Sequence, residues 1–429
     1  HACDQHYPSG NEPAPRGSSS PRVLTVHGTA HERGVRLWQA FGADATKLTA
    51  LRRDLYSAAG NEKWAAFGLL IEEAWQSHAP VSWSELKGMI SAGASCPDLL
   101  ALATDFEMQM CAWKHDELWN WDWKPPEESQ QPSEHGRCTA FAVSDALAGG
   151  AMCGQNVDED PSAWADGRKD VVVRLLSTEP TVPHAAVYTH PGVPAYCGLN
   201  GAGLCVMNLF LADKGEDSQS ADSPSEAASI LGPRGLPIDV TIRELLTHTT
   251  IEGAVRWLES IPRAAPSAYM LIQGDVIATV EASPERAATL WLRGRGCETC
   301  HSNHALCDQR MNAAPPAPTS EASANEASTT AAPNPSDTNE RLRHMQRAVR
   351  EARRGGVDGL LDISAARRIL TETPPAHATY APTSERKSTS PIALVRNCSC
   401  LALTYLMGAP SDLYLSRQLP ASSWSRRNG

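Results

Sequence analysis

His135-Gly136-Arg137-Cys138-Thr139-Ala140-Phe141-Ala142-Val143, then Gly150-Ala151-Met152-Cys153-Gly154-Gln155-Asn156-Val157-Asp158, are the two runs whose reading decides the fold. Thr139 to Val143 and Ala151 to Gln155 are short stretches of β-branched, aromatic and small residues, so they predict two strands of a hairpin. Cys138 stands at the first position of the first strand. Directly before it, Lys114 to Arg137 loses all periodicity and carries Pro125, Pro126 and Pro132 among Glu, Gln and Ser, which predicts an exposed connector. A chain broken at that junction leaves Cys138 as a new N-terminus. Its freed α-amine, with a pKa of about 8, would share a residue with the thiol and act as general base without a histidine. The hairpin predicts that Asp158 faces Cys138 and holds the amine. Taken alone, Cys138 also reads as a small core hydrophobe and Asp158 as a turn residue.

Upstream of the connector the pattern is helical. Residues 1 to 20 are rich in Pro, Gly and Ser and predict a disordered tail. From Val23 to about Trp113, apolar residues recur at helical spacing in Glu32 to Leu51, Glu62 to Ser77 and Trp83 to Ser91. Ser82 or Ser84 is a candidate cap of the third helix, and Cys96-Pro97-Asp98 opens a fourth running to Met110. Trp119, Trp121 and Trp123 read as rings packing the connector onto the body.

Downstream, strand-like runs follow at Val171 to Leu176, Ala185 to Thr189, Gly203 to Leu211, Ala268 to Gln273, Val276 to Glu281 and Thr289 to Leu292. Helical segments are predicted at Thr241 to Thr247, Ile251 to Ser260, Thr338 to Arg354 and Ile363 to Thr371, and a final strand or pair within Ile392 to Leu406. Residues 212–235 and 312–337 lack core residues and read as solvated inserts. Strands, then helices, then strands suggest a layered sheet protein with helices outside.

Bulk properties narrow the function classes. The 429 residues, 41% of them hydrophobic, suffice for a substantial core. Forty-nine acidic against 38 basic residues give a formal charge of -11, with no basic cluster to release counterions, so no nucleic-acid partner is expected. No apolar run approaches the roughly 18 residues of a membrane-spanning helix. Twelve cysteines spread over the chain predict reduced thiols in a cytoplasm-like compartment. The end Arg426-Arg427-Asn428-Gly429 lacks the tripeptide address of peroxisomal proteins.

From Leu24 to Leu415 the chain resembles the acyl-coenzyme A:6-aminopenicillanic acid acyltransferase family, the C45 peptidase group of the N-terminal-nucleophile (Ntn) hydrolases. His27-Gly28-Thr29-Ala30 through Glu32-Arg33-Gly34 is similar to the opening "GTPxExG" signature. Cys138-Thr139-Ala140-Phe141 resembles the cleavage point, and Gly154-Gln155-Asn156-Val157-Asp158 resembles "GQNWD". Gly198 to Asn208 is similar to "GxNSAGLxxxxN", Ala278 to Pro284 to the "xxxEvSP" turn, and His301-Ser302-Asn303-His304-Ala305-Leu306 to "HTNHxL".

The resemblance implies an α+β fold, the four-layer αββα Ntn sandwich with two antiparallel sheets. Residues 21–137 form a helical segment that stays attached after cleavage, and 138–429 form the nucleophile-bearing segment. It implies self-cleavage between Arg137 and Cys138, with the Cys138 thiol attacking the Arg137 carbonyl and water releasing the amine from the resulting thioester. Cys138 is then the nucleophile, Asp158 orients its amine, and Asn303 donates to the oxyanion. Gln155, Asn156 and Phe141 line the site. The implied substrate is a small amide or acyl thioester. No metal or cofactor is implied beyond acyl-coenzyme A as an optional acyl donor, and the partner is the chain's own cleaved N-terminal fragment.

Three departures matter. Arg137 replaces a small residue before the cysteine, which predicts slower or absent self-cleavage. Ala103-Thr104-Asp105-Phe106-Glu107 stands where the family has "NxRTE", placing an acid where an arginine contacts substrate, and Val157 replaces a tryptophan. Two rivals follow from the residues: a catalytically inactive Ntn-fold binding protein, and a haem, metal or redox protein using the C-x-x-C-H run Cys297, Cys300 and His301.

Overall fold

The computed structural model describes residues 22–55, 68–69, 71–107, 137–147, 150–158, 171–211, 235–284, 286–307, 338–356, 361 and 363–372. The tail, the connector with its three tryptophans apart from Arg137, both inserts apart from Gly235, and Ile392 to Leu406 lie outside the described residues.

The architecture is mixed α and β around one large sheet. The first element is a strand, β1 (Arg22–Gly28), where the spacing predicts helix. It pairs in parallel with β4 (Val171–Ser177), from Arg22 opposite Val171 to Gly28 opposite Ser177. Five residues of alternation in Val23 to His27 suit a strand or a helical turn equally; the open edge of β4, distant in sequence, decides.

Thr29 then starts α1 (Ala30–Leu55) with a capping box: the Glu32 carboxylate accepts from the Thr29 amide at 2.8 Å, and Thr29 Oγ1 accepts from the Glu32 amide at 3.3 Å. Helices α2 (Glu72–His78), α3 (Pro80–Ser91) and α4 (Cys96–Ala103) follow. Gly34 and Gly88 let α1 and α3 touch along their backbones, since a Cβ on Gly34 would lie 1.9 Å from the Glu85 carbonyl oxygen. Neither Ser82 nor Ser84 caps α3. The Glu244 carboxylate does so from another helix, accepting from the Ser82 amide at 3.0 Å, a partner that local sequence cannot supply.

The hairpin is present as β2 (Arg137–Leu147) and β3 (Gly150–Asp158). Next come β5 (Ala185–Thr189), β6 (Cys197–Asn200) and β7 (Cys205–Phe210), α5 (Ile238–Leu245) and α6 (Ile251–Ser260). After them run β8 (Ser267–Gln273), β9 (Val276–Ala282), β10 (Ala287–Arg293), β11 (Glu298–His301), α7 (Thr338–Gly355) and α8 (Ile363–Glu372). One sheet has eight strands in the order β1-β4-β5-β6-β7-β8-β9-β10, and the other has three, β11-β2-β3. All ladders are antiparallel except β1 with β4, which corrects the expectation of two wholly antiparallel sheets.

Strand alternation sorts most of the buried apolar residues among the described residues into three main clusters. Tyr269 and Leu271 of β8 face α1 to α6 in the first. Ala268, Met270 and Ile272, on the other face of the same strand, meet Cys138, Ala140 and Ala142 of β2 in the second, between the sheets. Phe141 and Val143 of β2 and Met152 of β3 point away from the large sheet, into the third, against α7 and α8.

Candidate active site

Cys138 is the second residue of β2, 8% exposed and packed between the two sheets. Its backbone is gripped on both sides. The amide donates to Asn303 Oδ1 at 2.6 Å, and the carbonyl accepts from Arg341 Nη1 at 2.9 Å. Arg341 Nη2 donates to the same Asn303 Oδ1 at 2.9 Å, while Asn303 Nδ2 donates to the Phe210 carbonyl at 2.7 Å. Two donors on one side and a carbonyl on the other fix the orientation of the Asn303 amide. Its oxygen faces the Cys138 nitrogen, and one of the two protons on its nitrogen goes to Phe210.

The loop carrying Asn303 follows β11 and is held from three directions. Glu281, fully buried on β9, accepts from the amides of Leu306 at 2.5 Å and Cys307 at 2.8 Å. It also meets His301 Nε2 at 2.9 Å, so this contact joins the two sheets beside Asn303. Thr338 Oγ1, at the start of α7, accepts from the Asn303 amide at 2.9 Å. Arg341 lies three residues along α7 from Thr338, on the same side of the helix, and so meets the same loop. The "HTNH"-like and "EvSP"-like runs are therefore two halves of one support.

The other expected site residues divide. The register sets Val157 opposite Cys138 and Asp158 opposite Arg137, so Asp158 is displaced by one residue from the pairing expected of it. Gln155 lies on the face of β3 turned toward the large sheet and donates to the Asn208 carbonyl. Asn156 and Phe141, expected to line the site, are on the opposite face: Asn156 donates to the Leu370 carbonyl of α8 at 3.0 Å, and Phe141 packs among α7 and α8. A period of two makes neighbours on a strand point apart, so Gln155 and Asn156 cannot both line one site.

Arg341 and Thr338 escape a sequence reading. The available signal was an arginine at position i-4 from Met345, on the apolar stripe of α7, where a cation needs a buried partner; Arg341 is 1% exposed. Asn200 serves the fold instead: its Oδ1 accepts from the amides of Ala202 and Leu204, and its Nδ2 donates to the Leu246 and His248 carbonyls. Asp105 is answered within the chain by Arg52, which approaches it at 2.7 Å.

The C-x-x-C-H residues diverge. Cys300 packs against α7, and burial pushes its thiol up to about 12. Cys297 sits by the cluster between the sheets, and His301 meets Glu281. Among the described residues no group of three or more His, Cys, Asp or Glu is placed to hold a metal ion. A cavity lined by Trp38, Phe41, Trp75, Glu85, His190 and Arg243 opens on the helical side of the large sheet, across it from Cys138.

No family model and no curated protein matches the chain. Among solved structures it is similar to a penicillin V acylase from Agrobacterium tumefaciens, with 16% identity, 65% of this chain and 68% of that chain covered, and a TM-score of 0.20.

Proposed function

We propose that this protein is a self-processing N-terminal-cysteine amidohydrolase or acyltransferase that cuts its chain between Arg137 and Cys138. The observation that carries the reading is the grip of Asn303 and Arg341 on the two backbone atoms flanking the Cys138 thiol. The Cys138 nitrogen is the atom that self-cleavage would free as an amine. Asn303 Oδ1 holds the proton on that nitrogen in the uncut chain, and would hold the amine after cutting, with its lone pair turned to the thiol.

In the uncut form the proposed reaction is an N-to-S acyl shift. The Cys138 thiol attacks the Arg137 carbonyl carbon, the C–N bond breaks as the nitrogen takes up a proton, and water hydrolyses the thioester. In turnover an amide or acyl thioester, acyl-coenzyme A included, acylates the same sulfur, and water or an amine removes the acyl group. The oxyanion donor role falls to Asn303 Nδ2, where one such donor is worth roughly 3 to 4 kcal/mol. The four-layer αββα sandwich belongs to this proposal, supported by three apolar clusters alternating with two sheets.

A second reading, an uncut binding protein in which Cys138 only packs, draws on the burial of its side chain. Denaturing mass analysis separates the two. Self-processing yields two fragments meeting at Arg137/Cys138, and Cys138→Ala stays a single chain. A wild type that remains whole after prolonged incubation, and shows no thiol-dependent amidase activity, overturns the proposal.

A further inference from the structure

Between the sheets, in the layer that holds Cys138, three further cysteines are buried: Cys153 on β3, Cys197 on β6 and Cys205 on β7. Two of them meet. Cys153 Sγ and Cys205 Sγ are 3.2 Å apart across the inter-sheet layer, although 52 residues separate them in the chain. Neither takes part in the chemistry proposed for Cys138. Their surroundings are apolar, with Ala140, Leu199, Met207 and Ile272 in the same cluster, so the pair is enclosed and no metal-binding set forms around it among the described residues.

We propose that Cys153 and Cys205 are a disulfide-forming pair that reversibly staples β3 to β7 when a small oxidant such as hydrogen peroxide reaches the layer. Closing from the observed contact to a bond of about 2.05 Å takes about 1 Å of side-chain movement. One sulfur attacks a peroxide oxygen, the O–O bond breaks, and a sulfenic acid and one water result. The second sulfur then displaces the sulfenic oxygen, forming the S–S bond and a second water. Two thiols and one peroxide thus become one disulfide and two waters, the sulfurs losing the two electrons that the peroxide oxygens gain.

The enclosure sets the character of the pair. The hydrogen bond to Cys153, followed by burial, raises the Cys205 thiol well above its usual range, and burial pushes Cys197 up to about 12. Few thiolates exist there at neutral pH, so oxidation is slow and favours an uncharged oxidant of molecular size over a glutathione-like disulfide. The link joins the two sheets, and it forms whether or not the chain cuts itself at Cys138.

Mass analysis of the whole protein tests this. Native protein is treated with hydrogen peroxide, denatured, alkylated and digested with trypsin, which releases peptides 138–168 and 175–214 with two cysteines each. The expected product is a cross-linked pair of these peptides whose fragmentation places the link at Cys153 and Cys205, and which dithiothreitol separates. In Cys205→Ser the cross-link falls at least tenfold. The inference is overturned if Cys153 and Cys205 are both recovered alkylated after peroxide has oxidised Cys138, or if the link joins Cys138 to Cys197.

Discussion

On the helical face of the eight-stranded sheet, Arg33 and Arg243 close on one carboxylate, that of Glu85; beyond the other face, Arg341 closes on a backbone carbonyl and a side-chain amide. Glu85 Oε1 lies 3.0 Å from Arg33 Nη2 and 2.5 Å from Arg243 Nη2, and Arg243 Nε donates to Oε2 at 2.8 Å. This network joins α1, α3 and α5 by charge against charge, and its work is architectural. Arg341 directs its cation at neutral oxygens of Cys138 and Asn303, fixing the backbone and the side-chain amide that flank the Cys138 thiol. Similar burial thus serves two ends, and perturbing each arginine set separates them.

The largest expected effect is on the helical side. Glu85→Ala leaves two arginines buried without their shared carboxylate and should destabilise the protein by about 3 to 5 kcal/mol, read as a lower urea midpoint. At temperatures where the variant remains folded, the fraction of chains cut at Arg137/Cys138 should stay near wild type. Arg341→Leu should do the reverse: under the proposed self-processing, loss of this positioning slows the appearance of the two fragments by about 10²-fold with a smaller change in midpoint. If Arg341→Leu cuts at the wild-type rate, the contrast fails, and Arg341 is a packing residue like its counterparts.

A carboxylate sharpens the comparison through pH. Burial pushes Glu107, which accepts from the Ile238 amide at 2.8 Å, up to about 7. Because its folded pKa is raised, its contribution is complete below the unfolded value of about 4.5 and is lost as pH climbs through 7. Wild type should therefore lose on the order of 3 kcal/mol relative to Glu107→Gln between pH 4.5 and 8, measured as diverging urea midpoints. Parallel midpoints would contradict the burial argument.

Smaller again are two tests of how α1 is seated. Gly34→Ala forces a methyl group against the Glu85 backbone and should cost about 2 kcal/mol. Thr29→Ala removes one half of the capping box at about 1 kcal/mol. Both effects belong in the thermal midpoint, and a shift in cleavage rate larger than the shift in stability would mean that α1 reaches the Cys138 site.

The amino-acid sequence by itself determined the elements whose signals are local. The strands β5, β8 and β9 and the helices α6, α7 and α8 fall within a few residues of their predicted bounds, because alternation, helical spacing and turn residues act over a few positions. Cys138 at the head of a strand was legible for the same reason. Only the tertiary structure decided what depends on partners far along the chain: β1 as a strand on the edge of β4, Glu244 as the cap of α3, and the 203 residues spanned by the bond from Arg341 to Cys138. It also decided the register that sets Val157 opposite Cys138 and turns Phe141 and Asn156 away. A one-residue change of register reverses every side chain on a strand, and no local pattern in a hairpin whose two faces are both buried records which register holds.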